Sequence, residues 1–286
     1  MKGAWVIGCG FLGSALAGAC RAAGVRVLTI DPAAPADVCG SAADDGVLLR
    51  AMAQLVPDVG FCCTATRGGS AEDYRRAYPA VVEALVRVLP AASRVVFCSS
   101  TSLYAGACGQ VVTEQCPVSA ATERAQHLFA AEEKTLAAGG VVARLVPLYG
   151  PGRCELLRRY RAGEPCLPGN PKRLMNYLHR DDAVAALLLL AGQGAGVYNV
   201  CGETFSKAEI YARLQAELGL PVPQQESAPS VRGVSDMRVE STRLRALGWS
   251  PAHTLAGFAG EKEVQVCSVP IIMNCWMPAR MPLRLN

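Results

Sequence analysis

The chain has 286 residues, 51% of them hydrophobic and 18% charged, with a formal charge of +4 from 28 basic and 24 acidic residues. This length bounds one large domain, or one domain with a smaller lobe. The charge is balanced, with no basic run and no basic–aromatic interleaving, which argues against a nucleic-acid partner. Beyond the first segment, the longest apolar run, residues 183–192, is too short to cross a bilayer, so no membrane partner is expected.

Taken in chain order, residues 4–7 (Ala-Trp-Val-Ile) read as an apolar strand and residues 11–23 as a small-residue helix. Between them stands Gly8-Cys9-Gly10-Phe11-Leu12-Gly13. Gly8 permits a tight turn, Gly10 lets a pyrophosphate approach bare backbone, and Gly13 lets the helix pack closely on the strand. The helix start then offers free N–H groups and a partial positive charge to phosphates. A second strand, residues 25–30, ends in Asp31. A carboxylate there suits the hydroxyls of an adenosine ribose. It also repels a 2′-phosphate, and Pro32-Ala33-Ala34-Pro35 follows in place of an arginine, so NAD is favoured over NADP. The uncharged stretch from Gly3 to Cys20 could pass for a secretory signal. Its glycines fall at motif spacing, however, and it feeds directly into a second strand.

The alternation continues. Residues 45–55 read as a helix, 59–63 as a buried strand, 71–89 as one long helix, 94–98 as a strand, 120–138 as a second long helix and 141–145 as a strand. Tyr149-Gly150-Pro151-Gly152 closes that strand. Residues 151–180 read as loop-rich, with Gly163, Pro165, Pro168, Gly169 and Pro171. Residues 181–191 are helical, with Asp181 as N-cap, and 196–200 return as a strand. The expected fold is α/β, a Rossmann-type doubly wound parallel sheet with a smaller C-terminal substrate-binding lobe. Residues 1–150 form the core, to which 181–200 return; 151–180 and 201–260 form the lobe, and 261–286 are an unassigned tail. The 13 cysteines contain no C-x-x-C pair, which suits small apolar fillers in a reducing cytosol. His127, His179 and His253 are isolated in sequence, so no metal is expected.

Further motifs sit at strand ends: Cys62-Cys63-Thr64-Ala65-Thr66, Ser99-Ser100-Thr101-Ser102-Leu103-Tyr104, Arg144-Leu145-Val146-Pro147-Leu148-Tyr149-Gly150-Pro151-Gly152, Asn176-Tyr177-Leu178-His179-Arg180-Asp181-Asp182 and Leu247-Gly248-Trp249. With the glycine turn, their order resembles the extended short-chain dehydrogenase/reductases of the NAD-dependent epimerase/dehydratase group, over residues 3–255. The resemblance implies a cofactor site at Gly8, Gly10, Phe11, Leu12, Gly13, Asp31, Thr64, Ala65 and Pro147. It implies Ser100 as the match to the catalytic serine, and Ser102, His179 and Arg153 on the substrate side. Structural roles are favoured for His179, and surface solvation for Arg153 and Arg173.

The group's acid/base pair, a Tyr four residues before a Lys, has no match. Counting back from Glu132 puts Arg124 at the Tyr position and Leu128 at the Lys position. An arginine stays protonated and is a poor proton donor. Arg124 remains a candidate for an anionic substrate group, Tyr104 and His127 for proton transfer. The function implied is an NAD-using epimerase/dehydratase-like oxidoreductase acting on a small polar or nucleotide-linked substrate. The rival is a non-catalytic dinucleotide-binding sensor. The group's habit of pairing its two long helices implies a homodimer.

Overall fold

The computed structural model describes residues 1–33, 35–66, 68–104, 106–107, 109–164, 171–223 and 236–260. The elements are, in chain order, β1 (Gly3–Ile7), α1 (Phe11–Ala22), β2 (Arg26–Asp31), β3 (Val38–Cys39), α2 (Asp45–Gln54), β4 (Val59–Cys62), α3 (Ala71–Ala77), α4 (Pro79–Val88), β5 (Arg94–Ser100) and β6 (Gln110–Val112). There follow α5 (Glu123–Ala137), β7 (Val141–Leu145), β8 (Leu148–Tyr149), α6 (Glu155–Arg161), β9 (Leu174–His179), α7 (Arg180–Leu190), β10 (Gly196–Val200), β11 (Glu203–Ser206), α8 (Lys207–Leu218), β12 (Met237–Val239), α9 (Thr242–Ala246) and α10 (Leu255–Gly260).

Seven strands form one parallel sheet in the order β10-β7-β5-β4-β1-β2-β3. This is the doubly wound Rossmann-type arrangement. Strands buried on both faces need continuous apolar runs, and β1 and β7 are buried along their whole length. Side chains alternate between the faces. Ala4 and Val6 join the cluster beneath α1 and α7, while Trp5 and Ile7 join the one beneath α2, α4 and α5. The winding reverses between β1 and β4, which opens a crevice at their carboxyl ends.

Two expectations are corrected and a third is filled in. The helix over 71–89 is two helices, broken at Tyr78 (φ −115°, ψ −80°), because Pro79 disfavours helical backbone in the residue before it. Asp181 is not an N-cap: α7 starts at Arg180, and His179 accepts from the Asp181 N–H. Residues 151–180 are more than loop, since α6 and β9 lie there, and β9 is the centre of a small β11-β9-β8 sheet. That sheet, α6, α8 and α10 share a third apolar cluster around Tyr149, Leu157, Tyr160, Ile210 and Leu255. The tail 261–286 and the loop positions Pro165, Pro168 and Gly169 lie outside the described residues.

Candidate functional site

The glycine turn is shaped by contacts that only hydrogen permits. Gly8 has φ +90°, and a Cβ there would stand 2.8 Å from the carbonyl carbon and oxygen of Cys63. A Cβ on Gly13 would stand 1.8 Å from the Gly8 oxygen. Gly10, by contrast, has nothing within 4 Å of its Cβ position, and it is the N-cap of α1 with no side chain capping the helix. The amino end of α1 is thus open at Gly10, and the N–H groups of Phe11, Leu12 and Gly13 are donors that the helix itself does not use. Asp31 closes the same corner. Its Oδ2 accepts from Cys9 N at 2.6 Å and its Oδ1 from Ala33 N at 2.8 Å. Each carboxylate oxygen retains a further acceptor position. This cradle fits a dinucleotide: bare backbone and a helix start for the diphosphate, a carboxylate for the ribose.

The Thr64 hydroxyl donates to Ala77 O at 2.7 Å, tying the end of β4 to α3, so toward a ligand it can act only as an acceptor. Ala65 and Pro147 are exposed. Pro147 lies between β7 and β8, where its carbonyl accepts from Leu178 N. The Phe11 ring is wedged beside the Gly150 turn, with the guanidinium of Arg153 5.1 Å and that of Arg180 5.3 Å from its centroid. Arg153 is exposed at this edge.

The half of the site meant for proton transfer is built differently. The half-buried Ser100 uses Oγ to accept from Ser102 N at 3.1 Å, capping the 3-10 turn over 101–104, while Ser102 is exposed. Tyr104, a candidate for proton transfer, is enclosed. Its hydroxyl donates to Asn199 Oδ1 (2.9 Å) and accepts from Arg144 Nη1 (2.7 Å), with the side chain 3% exposed. Burial holds its pKa above the ordinary tyrosine value. Arg144 in turn grips Glu132 through Nε and Nη2, and Ser99 Oγ donates to Glu132 Oε1. This buried network escaped the sequence reading; its one signal was an arginine inside the apolar run 141–145. Arg124 is exposed on the first turn of α5, its guanidinium over the Tyr74 ring of α3. Leu128 is buried in the core with Phe97 and Leu103.

The histidines are not isolated in space. His179 and His253 stack with ring centroids 4.0 Å apart. His253 Nδ1 lies 2.9 Å from Asp182 Oδ1, and Asp182 also accepts from the Ala252 and His253 N–H groups. His179, Asp181 and His253 bring ligand-type atoms within 4.8 Å of one another. One ring nitrogen or carboxylate oxygen of each is already engaged. His179 Nδ1 accepts from Asp181 N, Asp181 Oδ1 accepts from Arg180 Nε, and His253 Nδ1 faces Asp182. His179 thus caps α7 and is 3% exposed, in keeping with the structural role favoured for it.

Burial, then the neighbouring His253, depresses the His179 pKa to about 4. An unfolded histidine titrates near 6.5, so between pH 6.5 and 4 the unfolded chain binds the extra proton. Stability present above pH 6.5 therefore declines as pH falls through this window. Urea unfolding across pH 4–7 is expected to show a decline that His179→Asn flattens; an equal decline in the variant would refute it.

A model of the NAD dependent epimerase/dehydratase family matches residues 4–201. No protein of curated function matches the chain. Among solved structures, MoeE5 in complex with UDP-glucose and NAD is similar, with a TM-score of 0.75 at 24% identity, covering 90% of this chain and 95% of that one. The UDP-glucose 4-epimerase of Thermotoga maritima with UDP-glucose scores 0.75 at 17% identity (90% and 96% covered). The dTDP-glucose 4,6-dehydratase of Bacillus anthracis in complex with NAD scores 0.74 at 16% (91% and 94%).

Proposed function

The chain belongs to the NAD dependent epimerase/dehydratase family, and we propose that it binds NAD over the carboxyl ends of β1, β2 and β4 and uses it as an oxidoreductase on a small polar or nucleotide-linked substrate. The open, uncapped start of α1 beside Gly10 carries this reading. There the backbone N–H groups hold the diphosphate, and Asp31 accepts from the ribose hydroxyls. Bound NAD supplies a hydride acceptor or donor. The relatives solved with UDP-glucose support a sugar nucleotide as substrate. It would lie beside Ser100 and Ser102, under a lobe made by 151–180 and 201–260. The face of α4 and α5 carrying Val86, Arg87, Ala137 and Ala138 suits a second copy. The free thiols suit a reducing cytoplasm.

A second reading is favoured by Leu128 in the core and Tyr104 in its network: a module that binds NAD and reports its redox state without turnover. General acid–base catalysis is worth about 10²–10⁴-fold in rate, and neither residue supplies it. Calorimetry and a sugar-nucleotide panel separate the two. An enzyme converts a substrate and is slowed severely by Ser100→Ala, whereas a sensor binds NAD, converts none and is indifferent to that change. For either, Asp31→Asn keeps an acceptor for Cys9 N yet loses the charged bond to ribose. It is expected to weaken NAD by about 10- to 100-fold; an unchanged Kd would remove the basis of the proposal.

A further inference from the structure

We propose that Cys63 and Cys98 are a redox-active thiol pair beneath the phosphate turn, closing to a disulfide when a peroxide reaches them and thereby coupling thiol oxidation to dinucleotide occupancy. The coupling rests on the NAD reading above; the disulfide does not. In the register of β4 and β5, Cys62 stands opposite Phe97, which places Cys63 opposite Cys98. Neighbouring strands lie about 4.8 Å apart, inside the Cα separation of ~4.4–6.8 Å that a disulfide spans. Both side chains point into the cluster beneath α1, and their sulfurs are 3.6 Å apart. Cys63 is half-buried and Cys98 is 8% exposed, so an oxidant has to enter past Cys63.

The coupling follows from one contact. The Cys63 carbonyl lies against Gly8, where a Cβ would stand 2.8 Å away. Drawing the sulfurs from 3.6 Å to the bonded distance of about 2.05 Å pulls on Cys63, whose peptide supports the turn. In the reaction, the Cys63 thiolate attacks one oxygen of hydrogen peroxide. The O–O bond breaks, hydroxide leaves, and Cys63 becomes a sulfenic acid. The Cys98 sulfur then attacks the Cys63 sulfur, the S–O bond breaks, and hydroxide departs as water with the thiol proton. Two thiols and one peroxide give one disulfide and two waters, the sulfurs losing two electrons to the peroxide. The bond to Cys98 and burial hold the Cys63 thiol well above its ordinary pKa, so the reaction accelerates as pH rises.

The test is peroxide treatment of the full chain with and without saturating NAD, followed by alkylation, peptide mapping and NAD calorimetry on the reduced and oxidised forms. Expected are a linked Cys63–Cys98 peptide, formation slowed by NAD, and NAD affinity weakened at least about fivefold in the oxidised form; reciprocity then requires NAD to shift the disulfide equilibrium toward the dithiol by the same factor. Cys98→Ser should stop at a Cys63 sulfenic acid that a cyclic diketone traps. No linked peptide, with the two thiols unreacted or separately overoxidised, overturns the pair. Equal NAD affinity in both forms overturns the coupling. Failure of the reduced chain to bind NAD at all refutes the dinucleotide reading and the coupling with it, while mapping still decides the disulfide.

Discussion

Gly13→Ala is expected to destabilise the protein by about 2 kcal/mol net and to weaken NAD binding tenfold or more. Two effects oppose each other at this position. Alanine favours a helix over glycine by about 1 kcal/mol, but its Cβ would stand 1.8 Å from Gly8 O and 3.0 Å from Gly8 C. Nothing in that contact is the far end of a flexible side chain; it is main chain on both sides. The helix and the turn must therefore separate, and overpacking of this kind costs about 1–3 kcal/mol and sometimes more. Two other glycines act as controls. Gly18 is exposed on the same helix with nothing within 4 Å, so Gly18→Ala should be stabilising by up to about 1 kcal/mol. Gly10 is equally open, so Gly10→Ala should fold normally and lose affinity only, since its methyl points where the diphosphate would lie. Thermal unfolding with and without NAD checks all three. A Gly13→Ala variant as stable as Gly18→Ala would contradict the steric argument.

Glu132→Ala is expected to be costlier, by about 3–5 kcal/mol. Glu132 is 1% exposed and Arg144 4%. The guanidinium reaches the carboxylate at 3.0 Å through Nε and 2.6 Å through Nη2. Removing the acid strands a buried cation and leaves Ser99 Oγ without its acceptor. Replacing both partners with apolar groups, Glu132→Leu with Arg144→Met, should recover much of that loss, because it removes the desolvated charge along with its partner. Tyr104→Phe should cost less, about 1–3 kcal/mol, by leaving Arg144 Nη1 and Asn199 Oδ1 short of one bond each. Urea midpoints measure the series. A loss below 1 kcal/mol for Glu132→Ala would mean that water reaches the guanidinium.

The cofactor half of the site was readable because its signals are local. A glycine turn between β1 and α1, with an acid at the end of β2, states its geometry within one strand–helix–strand unit. The break at Tyr78 was also written locally, in Pro79, but the apolar spacing of Val81, Leu85 and Val88 masked it. The surroundings of the proton-transfer candidates were less legible, because hydroxyls at a strand end look alike in sequence. Whether Tyr104 faces a cleft or a buried arginine depends on β7 and β10 lying alongside, and both come later in the chain.

The sequence by itself determined the alternation of strand and helix, the parallel sheet and the phosphate turn, since each follows from periodicity and glycine placement over short distances. Tertiary structure alone decided the rest. It stacked His179 on His253, enclosed Tyr104 between Arg144 and Asn199, and set Cys63 opposite Cys98. Such pairings join residues far apart in the chain. Burial and hydrogen-bond partners exist only once the sheet has ordered them, and those partners decide which side chains stay free for a ligand.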